Sequence, residues 1–229
     1  MVQTRREERR EATIEEIKNL AWQQMAENGA AALSLRAIAR EMRVSSAALY
    51  RYFANREALL TALSMDAYRS LNAALRKAAE VFPREDYAAR LAALGNAYRC
   101  WVLAHPVQFA LVYGAVVPGY QPPWDLLEPV AAQGLELLLT VLDAASRDDR
   151  LFSSETVVSE SLRLQCERVI AARGYSVAVP VLYLALRGWS RLHGLVVLEA
   201  IGQLSLLEAP QAFFEAELQE LIANVIKKD

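Results

Sequence analysis

LSLRAIAREMRVSSAALYRYFANREALL, residues Leu33 to Leu60, decides how the rest of the chain is read. Ser34 precedes an apolar-periodic stretch, Leu35 to Met42, with Ile38 and Ala39 turned inward. Its hydroxyl is suited to accept an amide that the first helical turn leaves unpaired. Arg43-Val44-Ser45 is a tight connection, and Ser45 offers a second N-cap for a short helix from Ser46 to Phe53. Asn55 offers a third, for a long helix from Arg56 to about Phe82, where Pro83 stops it. On the N-terminal side, Glu7 to Asn28 reads as a helix with Ile14, Ile17, Ala21 and Met25 on one face. Gly29 then stands where a left-handed C-terminal residue is wanted. Three helices with a tight link between the second and third describe a helix-turn-helix.

On a helical wheel Leu49 and Phe53 are i, i+4 partners that point to the core. The opposite arc carries Ala47, Ala48, Tyr50 and Arg51. A helix that enters the major groove needs such a face, small at its start, because bulky side chains hold the backbone away from the base edges. The Ser45 and Tyr50 hydroxyls suit phosphate oxygens. Arg56 stands where it reaches a phosphate on the other wall of the groove. Arg5, Arg6, Arg9 and Arg10 have two readings: an arm over the DNA backbone or into the minor groove, or, interleaved with Glu7 and Glu8, a solvated, frayed terminus.

The chain has 229 residues, 54% hydrophobic and 23% charged, with a formal net charge of -2. That apolar fraction excludes a disordered chain. Two Cys, Cys100 and Cys166, exclude a disulfide framework and read as buried apolar residues. The near-neutral total hides an asymmetry. Residues 1–56 hold 10 Lys/Arg and 7 Asp/Glu, or +3, and residues 57–229 hold 15 and 20, or -5. Arg-rich positions 5–10 lead into no apolar h-region, so no signal peptide is expected. The longest charge-free run, Cys100 to Trp124, holds four prolines and cannot span a membrane. A soluble, cytoplasmic protein is the expectation.

Beyond Pro83 the helices are longer and more apolar, at about 85–104, 106–113, 124–147, 155–173, 180–204 and 210–227. Pro106, Pro123, Pro180 and Pro210 stand at or just before first turns, where the missing N–H costs nothing. Val116 to Pro123 and Ser146 to Ser154 read as loops. The fold class expected is all-α: an N-terminal three-helix helix-turn-helix domain, residues 1–56, then a larger helical effector-binding and dimerisation domain, residues 57–229.

As a set, Arg36-x-Ile38-Ala39, Val44-Ser45, Leu49-Tyr50-x-Tyr52-Phe53 and the basic Arg56 before Leu59-Leu60 resemble the N-terminal domain of TetR-family transcriptional repressors. The likeness covers about residues 10–60. It departs from the family pattern at Tyr52, where His is usual, and at Arg56, where Lys is usual. By this resemblance Ser34, Tyr50, Tyr52 and Arg56 would touch the DNA backbone, and Arg36, Ser46, Ala47, Ala48 and Arg51 would face bases. Tyr52 has a second reading, as a ring packed against the first helix.

A shorter segment, Trp189-x-x-x-His193-Gly194, resembles the W-x-x-x-H-G signature of one C-terminal class in that family. Gly188, Gly194 and Gly202 each cost a helix about 1 kcal/mol relative to Ala, which points to close approach of another backbone. Leu184, Gly188, Leu195, Leu198, Ala212, Phe213, Leu218, Leu221 and Ile222 are therefore candidates for a four-helix homodimer interface, with ordinary core as the other reading. A dimer is also what a single helix-turn-helix needs, since two copies about 34 Å apart read a palindromic operator. Tyr98, Trp101, Phe109, Tyr113 and Trp124, with Arg163, Gln165 and Trp189, are candidates for an apolar small-molecule pocket, plain core again being the alternative.

Two His and two Cys without a carboxylate cluster give no metal site, and no phosphate-binding or nucleophile-elbow motif is present. No catalytic residue and no cofactor is expected. The expected function is a ligand-responsive, dimeric DNA-binding repressor. The alternative is a DNA-binding regulator controlled by a protein partner; a helical enzyme with an incidental N-terminal likeness is the third reading.

Overall fold

Local chemistry starts the first helix. In the computed structural model, which describes residues 4–114, 117–152 and 158–227, Thr4 and Glu7 form a capping box. The Thr4 hydroxyl accepts the Glu7 amide, and the Glu7 carboxylate accepts the Thr4 amide at 2.8 Å. From there the elements are α1 (Arg5–Asn28), a 3-10 turn (Ala30–Ala32), α2 (Leu35–Glu41), α3 (Ser46–Leu49), α4 (Arg56–Ala79), α5 (Tyr87–Ala104), α6 (Pro106–Tyr113), α7 (Trp124–Ala131), α8 (Gln133–Arg147), α9 (Glu160–Arg173), α10 (Val179–Ala200) and α11 (Pro210–Ala223). Among the described residues the fold is all-α, as expected; its only β pairing is an isolated antiparallel bridge, Leu151 with Ile226.

Several boundaries differ from those read in the sequence; α4 ends at Ala79 and α11 at Ala223, short of the expected Phe82 and 227. The helix expected over 46–53 is regular only to Leu49. The Arg51 and Tyr52 amides then bond three residues back, to Ala48 and Leu49, in a tighter turn that delivers Phe53 to the core. The helix expected over 124–147 is two helices, because Pro129 removes one rung of the ladder and the chain restarts at Gln133. The helix expected to reach 204 stops at Ala200, and Gly202 takes a positive φ of 76° beyond it. The one expected over 155–173 begins at Glu160; residues 155–157 lie outside the described residues, as do Val116 and Ser153–Ser154 of the two expected loops. Gly29 does end α1 with positive φ, but with ψ 162°, so it is extended rather than left-handed helical.

The chain forms two compact units, and they do not follow the domain boundary expected after residue 56. The first comprises residues 1–69 and 105–131. Its core holds Ile17, Ala21 and Met25 of α1, Leu35 and Ile38 of α2, Leu49, Phe53, and Leu59, Leu60 and Leu63 of α4. Val117 and Tyr120 belong to the same cluster, with Val107 and Leu111 of α6 packed against it. The Lys18 ammonium meets the Asp66 carboxylate at 2.7 Å, tying α1 to α4.

The second unit comprises residues 70–104 and 132–229. Here α10 is central, packing on α5, α8, α9 and α11. Arg99 of α5 grips Glu199 of α10 through two nitrogens, at 2.7 and 2.5 Å, and covers the Phe214 ring. Gly95 lets α5 and α11 close: a Cβ there would lie 2.8 Å from the Leu218 side chain. The C-terminal strandlet is tied back by the Phe152 amide to Val225 and the Lys227 amide to Arg150.

Gly114, at the end of α6, cannot carry a side chain as it stands, since its Cβ would collide with the Ala110 carbonyl oxygen. Gly114→Ala is expected to cost about 1–3 kcal/mol of stability, read from the urea midpoint of the full chain. An unchanged midpoint would show that the backbone relaxes freely there.

Candidate nucleic-acid interface

Three side-chain caps build the face expected to meet DNA. The Ser34 hydroxyl accepts the Ala37 amide at 3.3 Å, Ser45 accepts that of Ala48 at 3.2 Å, and Asn55 accepts that of Ala58 at 2.8 Å. Capping uses a serine hydroxyl as an acceptor, so the hydroxyl hydrogens of Ser34 and Ser45 remain donors for a phosphate oxygen. Ser34 is further held by its amide on Gln24 Oε1 at 3.1 Å. Leu49 and Phe53 go into the core, while Ala47, Tyr50 and Arg51 are exposed and Ser46 and Ala48 half-buried. Arg36 is exposed on α2.

Among the described residues no hydrogen bond, ion pair or ring contact engages the side chains of Arg36, Arg40, Arg43 and Arg51. Arg43, in the turn between α2 and α3, has φ 56°, a left-handed conformation that costs an L-residue with a side chain about 1–2 kcal/mol.

Arg56 and the four N-terminal arginines sit otherwise than the sequence reading placed them, and Tyr52 takes the second of its two readings. The Arg56 guanidinium is taken up by backbone carbonyls: Ala30 at 2.8 Å, Ala31 at 3.2 Å and Pro118 at 3.4 Å. Ala30 and Ala31 belong to the 3-10 turn after α1, so Arg56 braces that turn instead of standing free for a phosphate. Tyr52 is half-buried, packed on the first core with the Arg10 guanidinium 5.3 Å from its ring centroid. Arg5, Arg6, Arg9 and Arg10 ride on α1, because the Thr4–Glu7 box carries the helix through them; they form neither a free arm nor a frayed end.

The aromatic candidates for a small-molecule pocket separate into groups. In the second unit the Tyr98 hydroxyl lies 2.5 Å from His193 Nδ1, and the Trp189 ring stacks on His193 at 5.1 Å with 21° between planes. Trp101, on the same helix as Tyr98, donates its indole N–H to Ser70 at 3.0 Å. Arg163 and Gln165 lie on the surface of α9: Arg163 pairs with Glu160 and Glu167, and Gln165 donates to Ser161. In the first unit Phe109 and Tyr113 are in ring contact at 5.5 Å, and Tyr68 meets Tyr113 edge-on at 6.0 Å. Burial pushes the Tyr113 hydroxyl well above its ordinary pKa, with Tyr68 adding to the shift. Trp124 is 56% exposed.

The interface candidates divide as well. Leu184, Leu218, Leu221 and Ile222 are buried inside the second unit. Gly188 and Leu195 are half-buried, and Leu198, Ala212 and Phe213 are exposed. The sequence reading missed Leu186 of α10, and Ile201 and Leu206 beyond its end, which are exposed as Trp189 and Leu198 are. The sequence of α10 is apolar on several sides, so spacing alone does not separate these exposed positions from the buried ones.

Comparison with known proteins follows these two parts of the chain. Residues 17–63 match the family model described as bacterial regulatory proteins, tetR family, and residues 91–221 match that of the tetracyclin repressor-like C-terminal domain. The Trp189-to-Gly194 segment falls inside the second match. The HTH-type transcriptional regulator Rv1816 of Mycobacterium tuberculosis is 30% identical over 221 residues, covering 96% of this chain and 94% of its own. The crystal structure of the regulatory protein designated SCO4313 is 37% identical, with a TM-score of 0.78 over 95% of this chain and 98% of that one. A Rhodococcus protein of unknown function is 25% identical, with a TM-score of 0.72 over 93% and 95% of the two chains.

Burial holds the His193 imidazole below its ordinary value of 6.5. The unfolded chain therefore takes up a proton first as pH falls. The stability His193 contributes is present above about 6.5 and is lost on acidification through and below that value. His193→Gln is expected to flatten the fall in the urea midpoint between pH 7 and pH 5. Identical pH slopes in the two proteins would remove His193 from this role.

Proposed function

This chain belongs to the TetR family of bacterial regulatory proteins, and we propose that it acts as a dimeric repressor that holds a palindromic operator and is released by an apolar small molecule. Its N-terminal domain is the DNA-binding part, and the protein is a transcriptional regulator, not an enzyme. The observation that carries the finer reading is the face formed by α2 and α3. A capped, small-residue helix start at Ser46 and Ala47 is flanked by the exposed, unpaired cations Arg36 and Arg51. Small residues let the backbone approach the base edges, and a guanidinium pairs bidentately with guanine O6 and N7. Ser34, Ser45 and Tyr50 hydroxyls serve the phosphates on either side.

Dimerisation is supported by exposed apolar residues on and just beyond α10. Leu186, Trp189 and Leu198 of α10 and Ile201 just after it are large apolar side chains left exposed, the kind of surface a partner covers. Gly188 and Gly194 add to this. A Cβ at either would meet nothing within 4 Å among the described residues beyond its chain neighbours and its own helix backbone, so no packing inside the protomer requires glycine in mid-helix, at about 1 kcal/mol each. A second copy lying close against α10 gives both a use. Control by a small molecule rests on the Tyr98 and Trp101 aromatics of α5 and on the family. A ligand acts here only through unequal affinity for DNA-competent and released states. The site of action is the cytoplasm, where the operator is.

Selection of tight binders from a random duplex pool is expected to return a palindrome. Arg51→Ala should then lose about 1–3 kcal/mol of discrimination between that site and random DNA. An unchanged ratio would take Arg51 out of base reading. The wild type should sediment as a dimer at micromolar concentration, and Trp189→Glu with Ile201→Glu should shift it to monomer and remove palindrome preference. A wild-type monomer would sink the dimeric reading.

A further inference from the structure

We propose that Arg43, with Arg40 beside it, forms an additional phosphate-binding edge at the turn between α2 and α3, outside the residues so far assigned to the DNA interface. The inference rests on the DNA-binding reading and extends it. Arg43 occupies a left-handed backbone conformation, φ 56°, where glycine would be free of the Cβ clash. The turn itself is firmly made: the Arg43 amide donates to Arg40 at 3.1 Å and the Val44 amide to Ala39 at 3.0 Å. Those are backbone bonds that glycine would make equally well. The side chain is exposed, and among the described residues it has no hydrogen bond, ion pair or ring contact. The strain at Arg43 is therefore not offset by anything the side chain does inside the fold.

Arg40 adds an independent observation. It stands four residues after Arg36 on α2, and both are exposed. Like charges at that spacing repel, and no carboxylate among the described residues pairs with either. Elsewhere in this chain Arg69, Arg99, Arg147, Arg163 and Arg191 pair with Asp or Glu, and those that do not, such as Arg84 and Arg187, are not gathered in one turn. A local fold that gathers three cations around a single acid, Glu41, which pairs with none of them, and holds one of the three at a strained position, is relieved by a polyanion. The DNA backbone is the polyanion this domain meets, and Arg43 is rooted two residues before the Ser45 cap of α3.

The test needs no operator, because phosphates are read on any sequence. Full-length wild type, Arg43→Gly, Arg43→Asn and Arg43→Lys are titrated against a fluorescently labelled duplex of arbitrary sequence, at KCl from about 50 to about 200 mM. Arg43→Gly should raise the thermal midpoint, since the strain is gone, while the slope of log K against log salt falls by about one for each phosphate no longer neutralised. Arg43→Asn, which tolerates the same backbone, should show the same reduced slope, and Arg43→Lys should restore it. Arg40→Gln should lower the slope independently. Wild-type slopes in the Gly and Asn variants, or a Lys variant no better than they are, would overturn the proposal while leaving DNA binding intact. A wild type with no salt-dependent binding would instead overturn the DNA-binding reading on which the proposal rests.

Discussion

The DNA-reading surface depends on a core that its own three helices cannot supply. α1, α2 and α3 contribute 24, 7 and 4 residues, and a unit of that size buries too little of its surface to be secure. The missing wall is the start of α4, where Leu59, Leu60 and Leu63 are completely buried against Ile17, Ile38 and Leu49. Since α2 and α3 are too short to persist alone, their position is set by that wall. Arg56 then has a structural use at the root of α4. It satisfies the carbonyls after α1, which fixes the loop feeding α2. Residues 105–131 are drawn into the same unit for the same reason, through Val117 and Tyr120.

Much of this was legible because it is local chemistry. A serine or asparagine before an apolar-periodic run names its own cap, and Ser34, Ser45 and Asn55 all make the bond that their positions require. Leu49 and Phe53 are inward because one is four residues after the other. The all-α class follows from periodicity that alternates nowhere. What was not legible was the tightening after Leu49. It arises from the need to bring Phe53 inward just before the Asn55 cap, a tertiary demand that a helical wheel of fixed pitch does not contain.

The less local readings had a different difficulty. An arginine has five donors and a long reach, so its spacing in sequence does not name its acceptor. Arg56 finds carbonyls 25 and 62 residues away, and Arg163, read as pocket-lining, finds the acids on its own helix. On α10 the trouble was an excess of signal. Leu184 and Leu186 are both apolar and two residues apart, yet one is buried and the other exposed. Only the packing of α5, α8, α9 and α11 decides which stripe is used internally. The same excess explains why Leu218, Leu221 and Ile222, proposed for an interface, lie inside the second unit.

Pairing turns the charge count into a physical field. A guanidinium held on a carboxylate at 2.5 Å, as Arg99 is on Glu199, presents a short dipole whose potential falls away quickly. An unpaired one presents its full charge out to about a Debye length, roughly 10 Å at 0.1 M salt. On α1, Arg5, Arg6 and Arg9 alternate with Glu7, Glu8 and Glu11, so their fields partly cancel. On α2 and the turn after it, Arg36, Arg40 and Arg43 stand with Glu41 as the only acid in that stretch. The excess of +3 over residues 1–56 is therefore concentrated where α3 is presented. A chain with a net charge of -2 can in this way attract a polyanion along one edge, and the acidic body that makes the total negative discourages binding by any other face.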